Sequence, residues 1–366
     1  LKGVKYLIFR LPLFDLHPKG TIDELFGRGQ EIKELLALVR AGRWVAILGP
    51  RMVGKTSLVK AASSELKMVG IKTIYINLWG VRGAQGLLDA LAQGLNQEKS
   101  ILKRIKNIAK HIEGISLGVE GISISLARRP MKTIWDLLAI IGEQGDCVIA
   151  FDEVQELSPI SNHLLRLLAN IFNTYPKIVF ILTGSMFGLM KALLEPRSTS
   201  PLYGRSPARL YLQPFTREKA IEFLRHGFNE YNRSIRDREV NEAVDRLDGI
   251  PGWLTLYGNN VAVRGMPHGR ALEETIAEGT KIVKDELEHF LQGRDRMVYI
   301  TALKAMAISA RWGEIKNAIE IRRGYSVNDA TIYNIIESLK AAMLIGEDEG
   351  IYTVKDPMLR ALLLTL

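Results

Sequence analysis

The sequence predicts an α/β protein in three parts: a parallel sheet wrapped by helices, then a helical bundle, then a winged-helix module. Three observations carry this reading. Strand and helix signals alternate through the first two hundred residues, strand signals stop after Pro214-Phe215, and the C-terminal part reads as three helices followed by two short strands. The expected domains are 1–215, 216–284 and 285–366, with an insertion at 98–126 inside the first.

Strands are expected at 44–48, 72–78, 147–151, 178–183 and 209–213. The runs Trp44-Val45-Ala46-Ile47-Leu48 and Cys147-Val148-Ile149-Ala150-Phe151 are uniformly apolar, as strands covered on both faces must be. Between them, Leu35, Leu36, Leu38 and Val39, then Leu87, Leu88, Leu91 and Leu95, recur at helical spacing. Residues 98–112 read as an amphipathic basic helix, with Ile101, Ile105, Ile108 and Ile112 on one stripe and Lys99, Lys103, Lys106 and Lys110 on another. The alternating run Gly114 to Leu126, turning at Glu120-Gly121, reads as a β-hairpin. This insertion is either an ordinary solvated surface or a basic contact surface for nucleic acid, membrane or a partner.

Beyond Pro214-Phe215 helices are expected at 219–231, 236–247, 253–263 and 269–283, with Asp248-Gly249-Ile250-Pro251-Gly252 as the turn between the second and third. Helices at 294–309, 313–322 and 328–342 lead into strands around Leu344-Ile345-Gly346 and Ile351-Tyr352-Thr353-Val354, the order of a winged helix.

At 366 residues the chain exceeds one ordinary core, and 47% apolar with 24% charged residues describes a globular protein. No apolar run is long enough for a membrane helix, and Leu1 to Phe14 lacks the continuous apolar stretch of a secretory signal. The single cysteine, Cys147, reads as a core residue in a reducing compartment, so a cytoplasmic location is expected. The net charge of +9 is unevenly placed. Residues 95–132 carry eight Lys/Arg against three Glu, and 191–238 carry ten against five acidic residues. Residues 293–366 carry ten against nine, a near balance that is poor for neutralising DNA phosphates through the winged helix.

Two motifs carry chemistry. Gly49-Pro50-Arg51-Met52-Val53-Gly54-Lys55-Thr56 lies between an apolar strand and the helix opening at Ser57, the context of a phosphate-binding P-loop. Backbone N–H groups and the helix dipole converge there on an anion. Lys55 is expected to reach the β- and γ-phosphates of ATP or ADP, and Thr56 to ligate Mg²⁺. The second motif is the strand ending in Asp152-Glu153. Asp152 is placed to hold the Mg²⁺ hydration shell, and Glu153 to orient and deprotonate the attacking water.

Together these motifs resemble the archaeal ATPase family, P-loop ATPases related to signalling STAND ATPases and origin-recognition-type AAA+ proteins. Phe26-Gly27-Arg28 with Glu31 resembles the family's opening box near the adenine. Ile181-Leu182-Thr183-Gly184-Ser185 resembles the fourth strand with its polar sensor, and Pro201-Leu202-Tyr203-Gly204-Arg205 the arginine motif before the fifth strand. Asp248 to Leu254 resembles the Gly-x-Pro motif of the lid, whose proline, here Pro251, touches the adenine. Tyr352-Thr353-Val354-Lys355-Asp356-Pro357 resembles the closing strand and Asp-Pro of the family's winged helix. The resemblance implies a P-loop NTPase fold of AAA+/STAND type, with Thr183, Ser185 and Arg205 assisting hydrolysis. Arg205 is expected on the phosphate side of the sheet, reaching a γ-phosphate on the same or a neighbouring subunit, which keeps a homo-oligomer open. The function expected is a Mg-dependent ATPase acting as a nucleotide-driven switch, its winged helix contacting DNA or protein. The alternative is a DNA-binding regulator in which nucleotide is mainly structural.

Overall fold

The computed structural model describes residues 10–99, 101–103, 112–117, 121–184 and 189–366. In chain order β1 is Val45–Leu48, β2 Lys72–Asn77, β3 Ile115–Leu117, β4 Ile122–Ile124, β5 Cys147–Asp152, β6 Ile178–Thr183 and β7 Ala208–Tyr211. Five of these form one sheet in the order β2-β5-β6-β1-β7, and every pairing in it is parallel. Every residue of β1, β5 and β6 is buried, which explains why they are apolar up to the Asp152 and Thr183 that end β5 and β6. The sheet order has one consequence for chemistry. Strand β6 lies between β1 and β5, so the residue ending β6 stands between the phosphate loop and the acidic strand.

Cys147 opens β5 deep in this core, where burial pushes its thiol up to about 12. Such a thiol stays protonated and unreactive, as a core residue should. Strands β3 and β4 form the expected antiparallel hairpin, apart from the main sheet. Asn96 ties it to helix Gly83–Gln97 by donating to the Ile122 carbonyl and accepting from the Ile122 N–H, each at 2.7 Å. Most of the expected basic helix, including Lys106 and Lys110, lies outside the described residues.

The helices Arg217–Glu230, Asp237–Leu247, Pro251–Ala262 and His268–Leu291 follow the sheet domain. The winged-helix part comprises helices Arg296–Ala305, Trp312–Arg323 and Asp329–Ala341, with β8 at Ala310–Arg311, β9 at Ile345–Asp348 and β10 at Ile351–Val354. These strands form a sheet in the order β8-β10-β9. Lid and winged helix share one apolar core that runs from Leu13 to Leu363. The expected boundary at 284/285 falls inside the helix His268–Leu291, which continues straight through it.

Leu13 and Phe14 also depart from the expected division, since both are buried in the lid core and not under the sheet. The Phe14 ring meets Phe228 at 4.9 Å and Tyr231 at 6.0 Å between centroids, and it presses on Gly227 and Gly258, where any Cβ would collide with it. A last helix, Pro357–Thr365, lies beyond the strands that close the expected winged helix. Its signals are the N-cap Asp356, which accepts from the Met358 N–H at 2.7 Å, and Pro357 in the first turn. No helix among the described residues is long and apolar enough to cross a membrane.

Candidate functional site

The loop after β1 has the backbone that an anion cradle needs. Gly49, at φ +155°, passes so close to the Leu212 carbonyl that a Cβ would lie 2.5 Å from it. Gly54 takes φ +100° at the N-cap of helix Lys55–Met68, a conformation that L side chains avoid. Met52 adopts φ +60° at the tip of the loop, a strained choice for a residue with a side chain. The Lys55 ammonium is almost fully buried and donates to the carbonyls of Gly49 and Pro50, both at 2.9 Å. These bonds fold the side chain back over the cradle.

At the opposite wall, the buried Asp152 carboxylate collects three hydroxyls. Thr56 donates to Oδ2 at 2.8 Å, Tyr75 donates to the same oxygen at 2.6 Å, and Thr183 donates to Oδ1. Burial of an ionised carboxylate is costly, and three donors offset much of that cost. Thr183 is fully buried and its hydroxyl also accepts from the Glu153 N–H at 3.1 Å. It therefore orients both acidic residues, as its place on β6 between β1 and β5 requires. Glu153 follows in the left-handed region at φ +64°, and Gln155 Nε2 donates to its Oε2 at 2.5 Å. Gly184 lies against Gln155, leaving no room for a Cβ. Ser185 falls outside the described residues.

Sequence reasoning missed Tyr75 and Gln155. Tyr75 looks like any strand residue, although half-burial and the Asp152 charge hold its phenol well above the ordinary range. Only the pairing of β2 with β5, Tyr75 opposite Ala150, brings it beside the carboxylate.

Of the residues expected around the adenine, Arg28 meets the phosphate loop directly. Arg28 braces the loop, donating to Glu31 at 2.9 Å, to the Val53 carbonyl at 3.0 Å and to the Gln213 carbonyl at 2.8 Å. Its guanidinium also lies 4.8 Å from the Phe215 ring centre. Burial lowers its pKa, opposed by Glu31. Phe26 packs on Phe215 and Phe223 at 6.0 and 5.4 Å. Phe215 in turn donates its N–H to the Gly249 carbonyl at 2.9 Å, two residues before Pro251, the first residue of its helix. The Ser57 hydroxyl accepts from the Lys19 N–H at 3.1 Å, so it anchors the N-terminal segment. Arg51 pairs with Glu286 at 3.1 Å and stacks over Trp79 at 5.1 Å, joining the loop to the helix His268–Leu291.

Arg205 is not on the phosphate side of the sheet, contrary to expectation. Its guanidinium lies 5.6 Å from the Phe172 ring centre, and Phe172 packs at 5.3 Å on Trp44, which precedes β1. Strand β7 is parallel to β1, so residues entering β7 stand at the amino ends of the strands and the phosphate loop at the carboxyl ends. The four residues of β1 separate the two by about 13 Å.

The family model of an ATPase domain found predominantly in Archaea matches residues 25–256, and that of the MCM protein C-terminal winged helix-turn-helix domain matches 291–354. A Walker-type ATPase of Pyrococcus abyssi superposes with a TM-score of 0.75 at 30% identity, over 96% of this chain and 99% of that one. The ORC2 protein of Aeropyrum pernix, solved in ADPNP–ADP complexes, superposes with a TM-score of 0.62 at 15% identity, covering 96% of each chain. The ORC1 protein of the same organism in complex with DNA reaches 0.52 at 15% identity, over 96% of each chain. These last two likenesses concern the fold. No curated protein sequence matches the chain.

Proposed function

We propose, from the premise that this chain belongs to the family of ATPase domains found predominantly in Archaea, that it is a Mg-dependent ATPase whose turnover repositions its lid. The observation that carries the reading is the meeting of Lys55, Thr56, Asp152 and Glu153 at the mouth of one backbone cradle. Lys55, released from the Gly49 and Pro50 carbonyls, neutralises the β- and γ-phosphates. The Thr56 hydroxyl and Asp152 Oδ2 would hold Mg²⁺. They lie 2.8 Å apart, two oxygen donors of the kind Mg²⁺ takes. When bound, the ion would withdraw charge from the phosphates. Glu153, oriented by Gln155 and by its own N–H on Thr183, accepts the proton of the attacking water.

The switch reading is supported by contacts between the loop and the lid. Gly252 and Glu286 both bind the phosphate loop, so a shift of that loop moves the lid and the core it shares with the winged helix. The winged helix suits a protein partner better than DNA. Lys340, the cation of its third helix, is held by Glu347 at 2.7 Å and Glu337 at 3.3 Å, while Tyr325 and Tyr333 stand exposed. A DNA regulator with a merely structural nucleotide would need neither a positioned Glu153 nor Gln155.

The test is ATP turnover with Mg²⁺ and nucleotide affinity measured on the same protein. Glu153→Gln should bind ATP as the parent does yet hydrolyse it on the order of 10²–10⁴ more slowly. Lys55→Ala should lose affinity. Parental turnover in Glu153→Gln would remove this mechanism.

A further inference from the structure

We propose that the cleft between the start of helix Ser161–Thr174 and the helix Leu189–Leu194 binds the phosphodiester backbone of a nucleic acid, at a site separate from the nucleotide cradle. The cleft holds about 530 Å³ and is lined by Asn162, Arg166, Lys191, Arg197, Thr199 and Ser200, among others. Among the described residues, the side chains of Arg166, Lys191 and Arg197 have no ion-pair or hydrogen-bond partner. Glu195 also lines the cleft, but Arg209 stands 3.8 Å from its carboxylate. Three uncompensated cations around one concavity create a local positive field that a polyanion relieves.

The donor set suits phosphate. Two of the three cations are arginines, whose forked guanidinium matches a pair of phosphate oxygens. Asn162, Thr199 and Ser200 add neutral donors of the kind that fix a nucleic-acid backbone. Two residues beyond Pro201, at the edge of the cleft, Tyr203 is 62% exposed and offers a ring on which a base can stack. Two cations of the basic stretch 191–238, Lys191 and Arg197, which the ATP site does not use, thus acquire a place. In the winged helix, by contrast, Lys340 is already paired and Glu347, Asp348 and Glu349 stand at the hairpin.

The cleft also touches the catalytic loop. Ser158 accepts from the Leu189 N–H at 3.2 Å and donates to the Gln155 carbonyl at 2.6 Å, so one cleft helix is pinned to the segment after Glu153. The proposal does not depend on hydrolysis, because binding is measured without nucleotide.

Anisotropy of a labelled single-stranded DNA and of the matching duplex, titrated with the full chain over a salt series, tests it. In the triple variant Arg166→Ser, Lys191→Ser, Arg197→Ser, affinity should fall at least about tenfold. The slope of log affinity against log salt should flatten by about 2 to 3, near one counterion per cation removed. Should the triple variant fail to fold, Arg166→Gln and Arg197→Gln singly should each flatten the slope by about one. The proposal is overturned if the parent binds neither DNA, or if the variants keep the parental slope and affinity. Displacement of the DNA by inorganic phosphate at constant ionic strength would mark a small-anion site instead. Tighter binding of polyglutamate than of DNA would mark a protein-facing patch. Either result overturns it too.

Discussion

The backbone N–H of Gly252 donates to the Met52 carbonyl at 2.8 Å, across a gap so narrow that a Cβ on Gly252 would lie 2.7 Å from the Met52 side chain. The strained tip of the phosphate loop is thereby bonded to the first turn of the lid helix Pro251–Ala262. With Arg51 on Glu286 beside it, the loop holds two lid helices at once.

Gly252→Ala should therefore act on the junction and leave each core intact. The added methyl meets the Met52 carbonyl at 2.9 Å as well, so backbone must shift, at about 1–3 kcal/mol. Limited proteolysis with and without ATP should show a lid no longer protected by nucleotide, with turnover reduced. A variant whose cleavage pattern and rate match the parent would mean the contact transmits nothing.

Tyr75→Phe removes one of the two hydroxyls on Asp152 Oδ2 and leaves Thr56 and Thr183 in place. The loss of one hydrogen bond to a charged group is about 1.5–3 kcal/mol, so turnover should fall roughly tenfold or more. The half-saturating Mg²⁺ concentration should rise, while nucleotide affinity without metal stays parental. An unchanged Mg²⁺ dependence would reduce Tyr75 to a packing residue.

Arg205→Ala should leave hydrolysis by the isolated chain at the parental rate, because Arg205 sits at the amino ends of the strands, on Phe172. Loss of that cation–π contact at a partly exposed site should cost about 0.5–1 kcal/mol of stability. Rates measured at low and high protein concentration decide the matter. A defect that grows with concentration would show the arginine acting on a neighbouring copy.

Asp356→Asn addresses the cap that seats the last helix against the lid. Burial, with the Glu286 charge adding to it, raises the Asp356 carboxyl from 3.8 to about 6, against the lowering effect of the Met358 and Leu359 N–H groups. A folded pKa above the unfolded one means its stabilisation is full below about pH 4 and is lost as pH rises through about 6. At neutral pH the ionised group costs on the order of 3 kcal/mol relative to acid. Asparagine keeps the capping oxygen without the charge. Denaturant unfolding across this pH range should show the variant gaining on the parent as pH rises, and a pH-independent difference would locate the cost elsewhere.

The parts of the site that lie within one stretch of chain were legible before any fold. Strand, glycine turn and helix at 44–62 are contiguous, so the cradle's geometry follows from local backbone preferences, and the apolar run into Asp152-Glu153 carries its own address. The strands and most helices were likewise written in local periodicity. The sheet order β2-β5-β6-β1-β7 was not, because pairing between distant strands leaves no local period. That order brings Tyr75 to Asp152 and sets Thr183 between the two motifs, while the parallel direction of β7 leaves Arg205 at the amino ends of the strands. Phe14 was decided the same way: its sequence marks it as apolar, but only the tertiary structure determines which of two cores excludes water from it.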